Sequence, residues 1–222
     1  MNLIEYIKEA IQHKIEGQQG SSTTQVATTG GSFEKSGKKL SKDIPPDGKV
    51  LNYGAGLDHT TESLKKGLGG SQSVHDYEPF PERRKEAPTF SKSDEVPRDH
   101  YHGVVCHNVL NVVEPHIRDH IVRHIFSSMK EGGHAHIITR KFKGDVDGAK
   151  NATPGDEKGS LWIHKKSKGK TQSVYQKGFD GNELHEYIRK EAEKHGHKVE
   201  VSNLGFGASG VHVKMIKKNK DE

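Results

Sequence analysis

The sequence predicts one α/β domain built on a mostly parallel sheet, and three stretches carry that expectation. A short strand, Lys49–Tyr53, runs into a glycine turn and a helix over about Thr60 to Leu68, which is a βα unit. Gly103–Leu110 is an almost unbroken apolar run, as a parallel strand covered on both faces requires. Near the end, Lys198–Val201 and Val211–Met215 flank a glycine-rich turn and read as a closing antiparallel hairpin. Between these lie a second strand, Ser73–Tyr77, and a third expected somewhere in the Pro- and charge-rich stretch 79–98. Pro115 opens a helix with Ile117, Ile121, Val122, Ile125, Phe126 and Met129 on one face, which Gly132–Gly133 is expected to stop. His134–Thr139 is then a strand and Asn182–His195 a helix, giving seven strands with helices on both faces.

With 222 residues of which 30% are hydrophobic, the chain has enough material for one lean core plus solvated extensions. Leu3, Ile4, Ile7, Ile11 and Ile15 recur at helical spacing, so residues 1–16 read as an amphipathic helix. Residues 17–48 are rich in Gly, Ser, Thr and Lys and read as a flexible linker or flap ahead of the main domain, 49–217. Within that domain, 140–176 is a polar, Lys-rich insertion that reads as a long functional loop.

The formal charge of +5 fits an anionic partner such as DNA or RNA, and equally an ordinary soluble surface. One cysteine, Cys106, permits neither an internal disulfide nor a cysteine-based zinc site. The apolar N-terminus is broken by charge and no segment is long enough to span a bilayer, so a soluble, cytoplasmic protein is expected.

The strongest chemical signal is Asn52-Tyr53-Gly54-Ala55-Gly56. A strand running into Gly-x-Gly presents main-chain N–H groups and a helix N-terminus to a ligand, and the glycines allow close approach. Glu78, 22 residues beyond Gly56 and followed by Pro79, stands at the end of the second strand, where a carboxylate can accept both ribose hydroxyls of an adenosyl group. A dinucleotide fingerprint is disfavoured, because His59 occupies its third glycine position. A P-loop is excluded at Gly37-Lys38, where Ser32 replaces the first glycine and Lys39 the Ser or Thr.

On these residues the chain resembles the class I S-adenosylmethionine-dependent methyltransferases over about residues 48–217. Val50–Gly56 is similar to their glycine-rich first motif and Tyr77-Glu78-Pro79-Phe80 to their acidic loop. Tyr101–Val113 and Gly132–Arg140 are similar to their fourth and fifth strands. Asn108–Val113 looks most like small methyltransferase domains of phages and bacterial DNA-modification systems. Two positions depart from the pattern: His102 stands where an acidic residue is common, and Asp94 is only the nearest candidate for the adenine-binding acid. The resemblance implies a Rossmann-like fold, S-adenosylmethionine as cofactor, and methyl transfer to an acceptor, with nucleic acid slightly favoured over small molecules. The alternative is a methyltransferase-like accessory protein that binds nucleic acid without catalysis.

Methyl transfer from a sulfonium is an in-line displacement, so the protein's task is mainly alignment. Asn108 and Asn111, at the carboxyl end of the apolar strand, are the acceptor-side candidates, Asn108 also touching cofactor; loop-capping hydrogen bonds explain both equally well. The Pro-Pro-aromatic tail of exocyclic-amine methyltransferases is absent after Asn108, and Cys106 lies inside a strand rather than on a nucleophile loop, so it reads as an inert core thiol. Arg140, Trp162 and Lys165 in the insertion, with Lys38 in the flap, are candidates for tracking phosphates and stacking a base. His116, His120 and His124 share a helical stripe without an accompanying zincin glutamate and read as a solvated edge, as do His134 with His136 and His195 with His197; no metal site is expected.

Overall fold

The computed structural model describes residues 30–167, 170–207 and 210–218. The helix expected over residues 1–16 lies outside the described residues, as does the linker up to residue 29. Six strands form the main sheet: β1 (Lys49–Tyr53), β2 (Ser73–Tyr77), β3 (Tyr101–His107), β4 (Met129–Thr139), β8 (Val199–Gly207) and β9 (Gly210–Lys217). Their order is β2-β1-β3-β4-β9-β8, parallel from β2 to β4 and antiparallel at β4–β9 and β9–β8. The expected seventh strand is reduced to one parallel bridge, Tyr77 to Phe90, in which Phe90 donates to Asp76 O at 3.0 Å and Glu78 to Phe90 O at 3.1 Å. Proline and charge on either side of Phe90 leave nothing to extend it.

Helices cover both faces. On one side α1 (Gly30–Leu40) and α2 (Asp58–Leu68) bury Phe33, Leu40, Leu64 and Leu68 against Val50 and Val105. On the other, α3 (Pro115–Ser128) and α4 (Gly181–Lys194) bury Ile117, Ile121, Ile125, Leu184 and Ile188 against Leu51, Val104, Cys106 and Ile137. Asp180 caps α4 by accepting from Glu183 N–H at 2.7 Å, a capping box. Cys106 is buried, and burial pushes its thiol pKa up, as an inert core residue requires.

Several expectations are corrected. Residues 30–40 are not linker but helix, because α1 and α2 cross with their backbones in contact. A Cβ on Gly37 would stand 2.7 Å from Leu64 O, so only glycine permits the approach that buries Phe33 and Leu40. α3 ends at Ser128 rather than at Gly132–Gly133, and the glycines fall inside β4, opposite a register shift against β3. The insertion is not a loop: β5 (Ala152–Pro154), β6 (Ser160–Ser167) and β7 (Lys170–Lys177) form a three-stranded antiparallel sheet.

Buried cations dock this second sheet. Arg118 on α3 donates to Leu110 O at 2.9 Å and Val113 O at 3.0 Å, pairs with Glu157, and lies over the Phe179 and Tyr187 rings at 5.1 and 5.7 Å. Glu157 also accepts from Tyr175 of β7. Lys177, equally buried, reaches Lys158 O at 2.6 Å and Glu183 of α4. Glu157→Ala leaves the Arg118 guanidinium without its counter-charge, which costs about 3 kcal/mol. We expect a lower melting temperature and a shifted emission from Trp162, the single tryptophan and a reporter on β6; unchanged melting would contradict this docking.

The histidines are not solvated edges throughout. His124 accepts from or donates to the Tyr53 hydroxyl at 2.9 Å, and His136 is fully buried with its Nδ1 3.3 Å from His212 Nε2. Burial first, then neighbouring imidazoles, lysines and arginines, lowers His124 and His212 to about 4 and His136 to about 3, from an ordinary 6.5. These rings stay neutral in the folded chain while the unfolded chain takes up protons below 6.5. Stability is therefore held above that value and lost as pH falls through it toward the folded values. A melting temperature that drops steadily from about pH 7 to about pH 5, less so in His212→Asn, is the expected record; a flat profile would contradict it.

Candidate active site

The carboxyl ends of the parallel strands converge on one crevice, the position at which open α/β sheets bind ligands. After β1 the chain turns through Gly54 and Gly56, both at φ +66°, a left-handed conformation that side chains rarely adopt. A Cβ on Gly54 would collide with Val109, whereas one on Gly56 would meet open space. Ala55 N–H bonds Tyr77 O at 3.0 Å, tying this loop to β2.

Glu78 completes the cradle. Its carboxylate is 4% exposed and accepts from Gly56 N–H at 2.6 Å and Phe80 N–H at 3.0 Å. Pro79, half-buried between them, has no N–H to offer, so the second bond reaches Phe80. Burial pushes the Glu78 carboxyl above its ordinary 4.5, against the pull of the two amides and Arg84. Each oxygen keeps a further lone pair, and the space over Gly56 is open, so this pair of acceptors fits the two hydroxyls of a ribose.

The side chains of Asn52 and Tyr53 serve the scaffold instead. Asn52 Nδ2 donates to Thr61 Oγ1 of α2 at 3.1 Å, and the Tyr53 ring packs on Tyr77 in the core, so any cofactor contact at these positions is through the main chain. The sequence reading missed Arg84. Its guanidinium, buried in the turn after Pro81, pairs with Asp76 and with Asp58 at 3.2 Å and donates to Gly56 O at 3.3 Å. One side chain thereby fixes the end of β2, the start of α2 and the glycine loop. No motif marks an arginine in a Pro-Glu-Arg-Arg stretch. His59 is exposed in the first turn of α2, and Asp94 is exposed in a short 3-10 turn at 93–95.

On the acceptor side, Asn108 ends β3 at φ +56° with its N–H on Ile138 O at 2.8 Å, which stops the strand three residues short of the expected Leu110. His107, just before it, is buried under α1, packed at a tilt against the Phe33 ring at 4.2 Å and bonded to Ser36 Oγ at 3.0 Å. Asn111 is buried against β7: its main-chain oxygen accepts from Lys177 N–H at 2.7 Å, and its Nδ2 donates to Gln176 Oε1 at 3.4 Å. Arg140 pairs with Asp145 and donates to the same Gln176 oxygen at 3.3 Å. Lys38 is on the exposed side of α1, paired with Glu34 at 2.7 Å and not brought to the crevice. Trp162 is half-buried edge-on to Tyr175 at 5.2 Å. Lys165 lies on β6 with its main chain opposite Gln172, and its side chain is outside the described residues.

No curated sequence matches this chain. Solved structures match its fold. The 1,6-didemethyltoxoflavin-N1-methyltransferase of Burkholderia thailandensis, solved with bound 1,6-didemethyltoxoflavin and S-adenosylhomocysteine, aligns with a TM-score of 0.58 at 13% identity, over 99% of this chain and 92% of that one. An S-adenosylmethionine-dependent methyltransferase of Clostridium acetobutylicum gives 0.58 at 10% identity over 96% and 99%. One from Archaeoglobus fulgidus gives 0.53 at 11% over 86% and 95%. A family model described as a methyltransferase domain matches residues 31–167, a span that holds the glycine loop, Glu78, Arg84, Asn108 and Asn111. By that match over more than half of its length, the chain belongs to the methyltransferase domain family.

Proposed function

We propose that this chain transfers the methyl group of S-adenosylmethionine to an acceptor held between the end of β3 and the inserted sheet. The observation that carries the reading is the buried Glu78 carboxylate, bonded to Gly56 and Phe80 amides beside an open glycine turn. When bound, S-adenosylmethionine supplies an electrophilic methyl group on a sulfonium. The chain's own part is to hold the ribose through Glu78, to admit the nucleoside over Gly56, and to keep both positions fixed through Arg84. Asn108 and Asn111 lie just beyond the carboxyl end of β3, and we assign them as the acceptor-side polar groups.

A compact acceptor is favoured over a polynucleotide. Lys38 and Arg140, the cations expected to track phosphates, are already in ion pairs, and Trp162 is half-covered by its own sheet. DNA and RNA belong in the acceptor screen because the loop after β3 resembles DNA-modification methyltransferases.

Calorimetric titration with S-adenosylmethionine tests the cofactor reading. Wild type is expected to bind in the micromolar range, about −8 kcal/mol, and Glu78→Ala to lose that binding while keeping its fold. Because the ionised carboxylate is the better acceptor and its pKa is raised, affinity is expected to weaken on acidification, starting above the ordinary glutamate value of 4.5. Binding by wild type that survives Glu78→Ala unchanged would place the nucleoside elsewhere.

A further inference from the structure

We propose that the Asn111 carboxamide oxygen recognises the methyl acceptor by taking a hydrogen bond from it, so that the acceptor is a compact amine, amide or hydroxyl compound carrying an N–H or O–H. The inference rests on the S-adenosylmethionine reading above. Asn111 is 1% exposed, and two bonds to β7 fix its orientation: Lys177 N–H to its main-chain oxygen at 2.7 Å, and its Nδ2 to Gln176 Oε1 at 3.4 Å. Since Nδ2 faces an oxygen that can only accept, the carboxamide cannot be flipped without opposing two acceptors. Its Oδ1 is left buried with no donor. It is one of seven buried side-chain atoms without a partner among the described residues, and a buried acceptor of this kind is satisfied when a ligand brings it a donor.

The neighbouring groups point to the same end of the sheet. Thr139, the last residue of β4, is fully buried and its Oγ1 is likewise unpartnered. The next residue, Arg140, donates to the same Gln176 oxygen that Asn111 uses, so β3, β4 and the inserted sheet meet at one polar cluster. Oδ1 can only accept, so it matches a ligand that presents a donor, whereas the threonine hydroxyl gives or takes. Gln176 reaches this cluster only because the inserted sheet is docked by Arg118 and Glu157. The insertion therefore sets acceptor specificity.

In the transfer, the lone pair of the acceptor nitrogen or oxygen forms the new bond to the methyl carbon. The carbon–sulfur pair stays with sulfur, which becomes a neutral thioether, and the acceptor's proton leaves to solvent. Asn111 remains neutral throughout. By accepting from the N–H or O–H it turns the lone pair toward the methyl group, which makes it a catalytic residue in the sense of touching the substrate.

The test uses the full chain as wild type, Asn111→Leu and Asn111→Asp, with three readouts. Binding of S-adenosylhomocysteine should stay within about threefold in all three proteins. The melting temperature of Asn111→Leu should equal or exceed that of wild type, because leucine removes an unmatched acceptor while Arg140 still serves Gln176. Labelled methyl transfer is then screened against an aryl amine, a phenol and a cyclic imide, against a tertiary amine and a thioether that lack a donor, and against a DNA duplex and an RNA strand. Only donor-bearing compounds should accept methyl, with kcat/KM at least about tenfold lower in Asn111→Leu and partly kept in Asn111→Asp. Transfer to the tertiary amine or thioether, transfer to a polynucleotide, or activity unaffected by Asn111→Leu would overturn the proposal. If no compound is methylated, the melting temperature decides: a value below wild type marks a structural asparagine and overturns it. Failure of wild type to bind S-adenosylhomocysteine is a separate result, which removes the cofactor reading instead.

Discussion

The bond from Gly56 N–H to the Glu78 carboxylate, 2.6 Å long, is the contact on which the rest of the site depends. It joins the loop after β1 to the loop after β2, two segments that parallel pairing brings side by side at their carboxyl ends. An ionisable group this deeply buried raises the free energy of the folded chain, and the upward pull on its pKa records that cost. Under the proposed reading, the carboxylate is kept there as the acceptor for ribose hydroxyls. Arg84 makes the arrangement rigid by binding both ends of it, and it does so from a turn without regular structure.

The same logic extends outward. α1 closes over His107 through a glycine-to-glycine helix crossing, and the inserted sheet closes over Asn111 through buried Arg118 and Lys177. Each cover is held by groups that are costly to bury and fully partnered, which favours one arrangement over many. Asn111 Oδ1 and Thr139 Oγ1 are two of the seven buried side-chain atoms without a partner among the described residues.

What the sequence disclosed follows the strength of its local signals. β1 and β2 have the expected ends, because apolar residues bounded by glycine or polar turns leave little choice of register. Gly54, Gly56 and Glu78 were legible for the same reason: backbone freedom and a lone carboxylate at strand ends are local facts. α1 was not, since its anchors Phe33 and Leu40 count only once α2 is packed against them. The inserted strands were hidden by their polarity; β6 carries lysine, histidine and serine on a surface sheet, a pattern that composition cannot separate from a loop. The side chains of Asn52 and Tyr53 turn into α2 and the core, because a strand sends alternate residues to opposite faces. Arg84 and Gln176 act through partners distant in sequence and left no signal there.

A crystal structure of the chain with S-adenosylhomocysteine tests the central claim most directly. The account predicts both ribose hydroxyls within about 2.7 Å of the Glu78 oxygens, the nucleoside over Gly56, and the sulfur directed at the end of β3. A nucleoside bound elsewhere, or ribose hydroxyls turned away from Glu78, would contradict it.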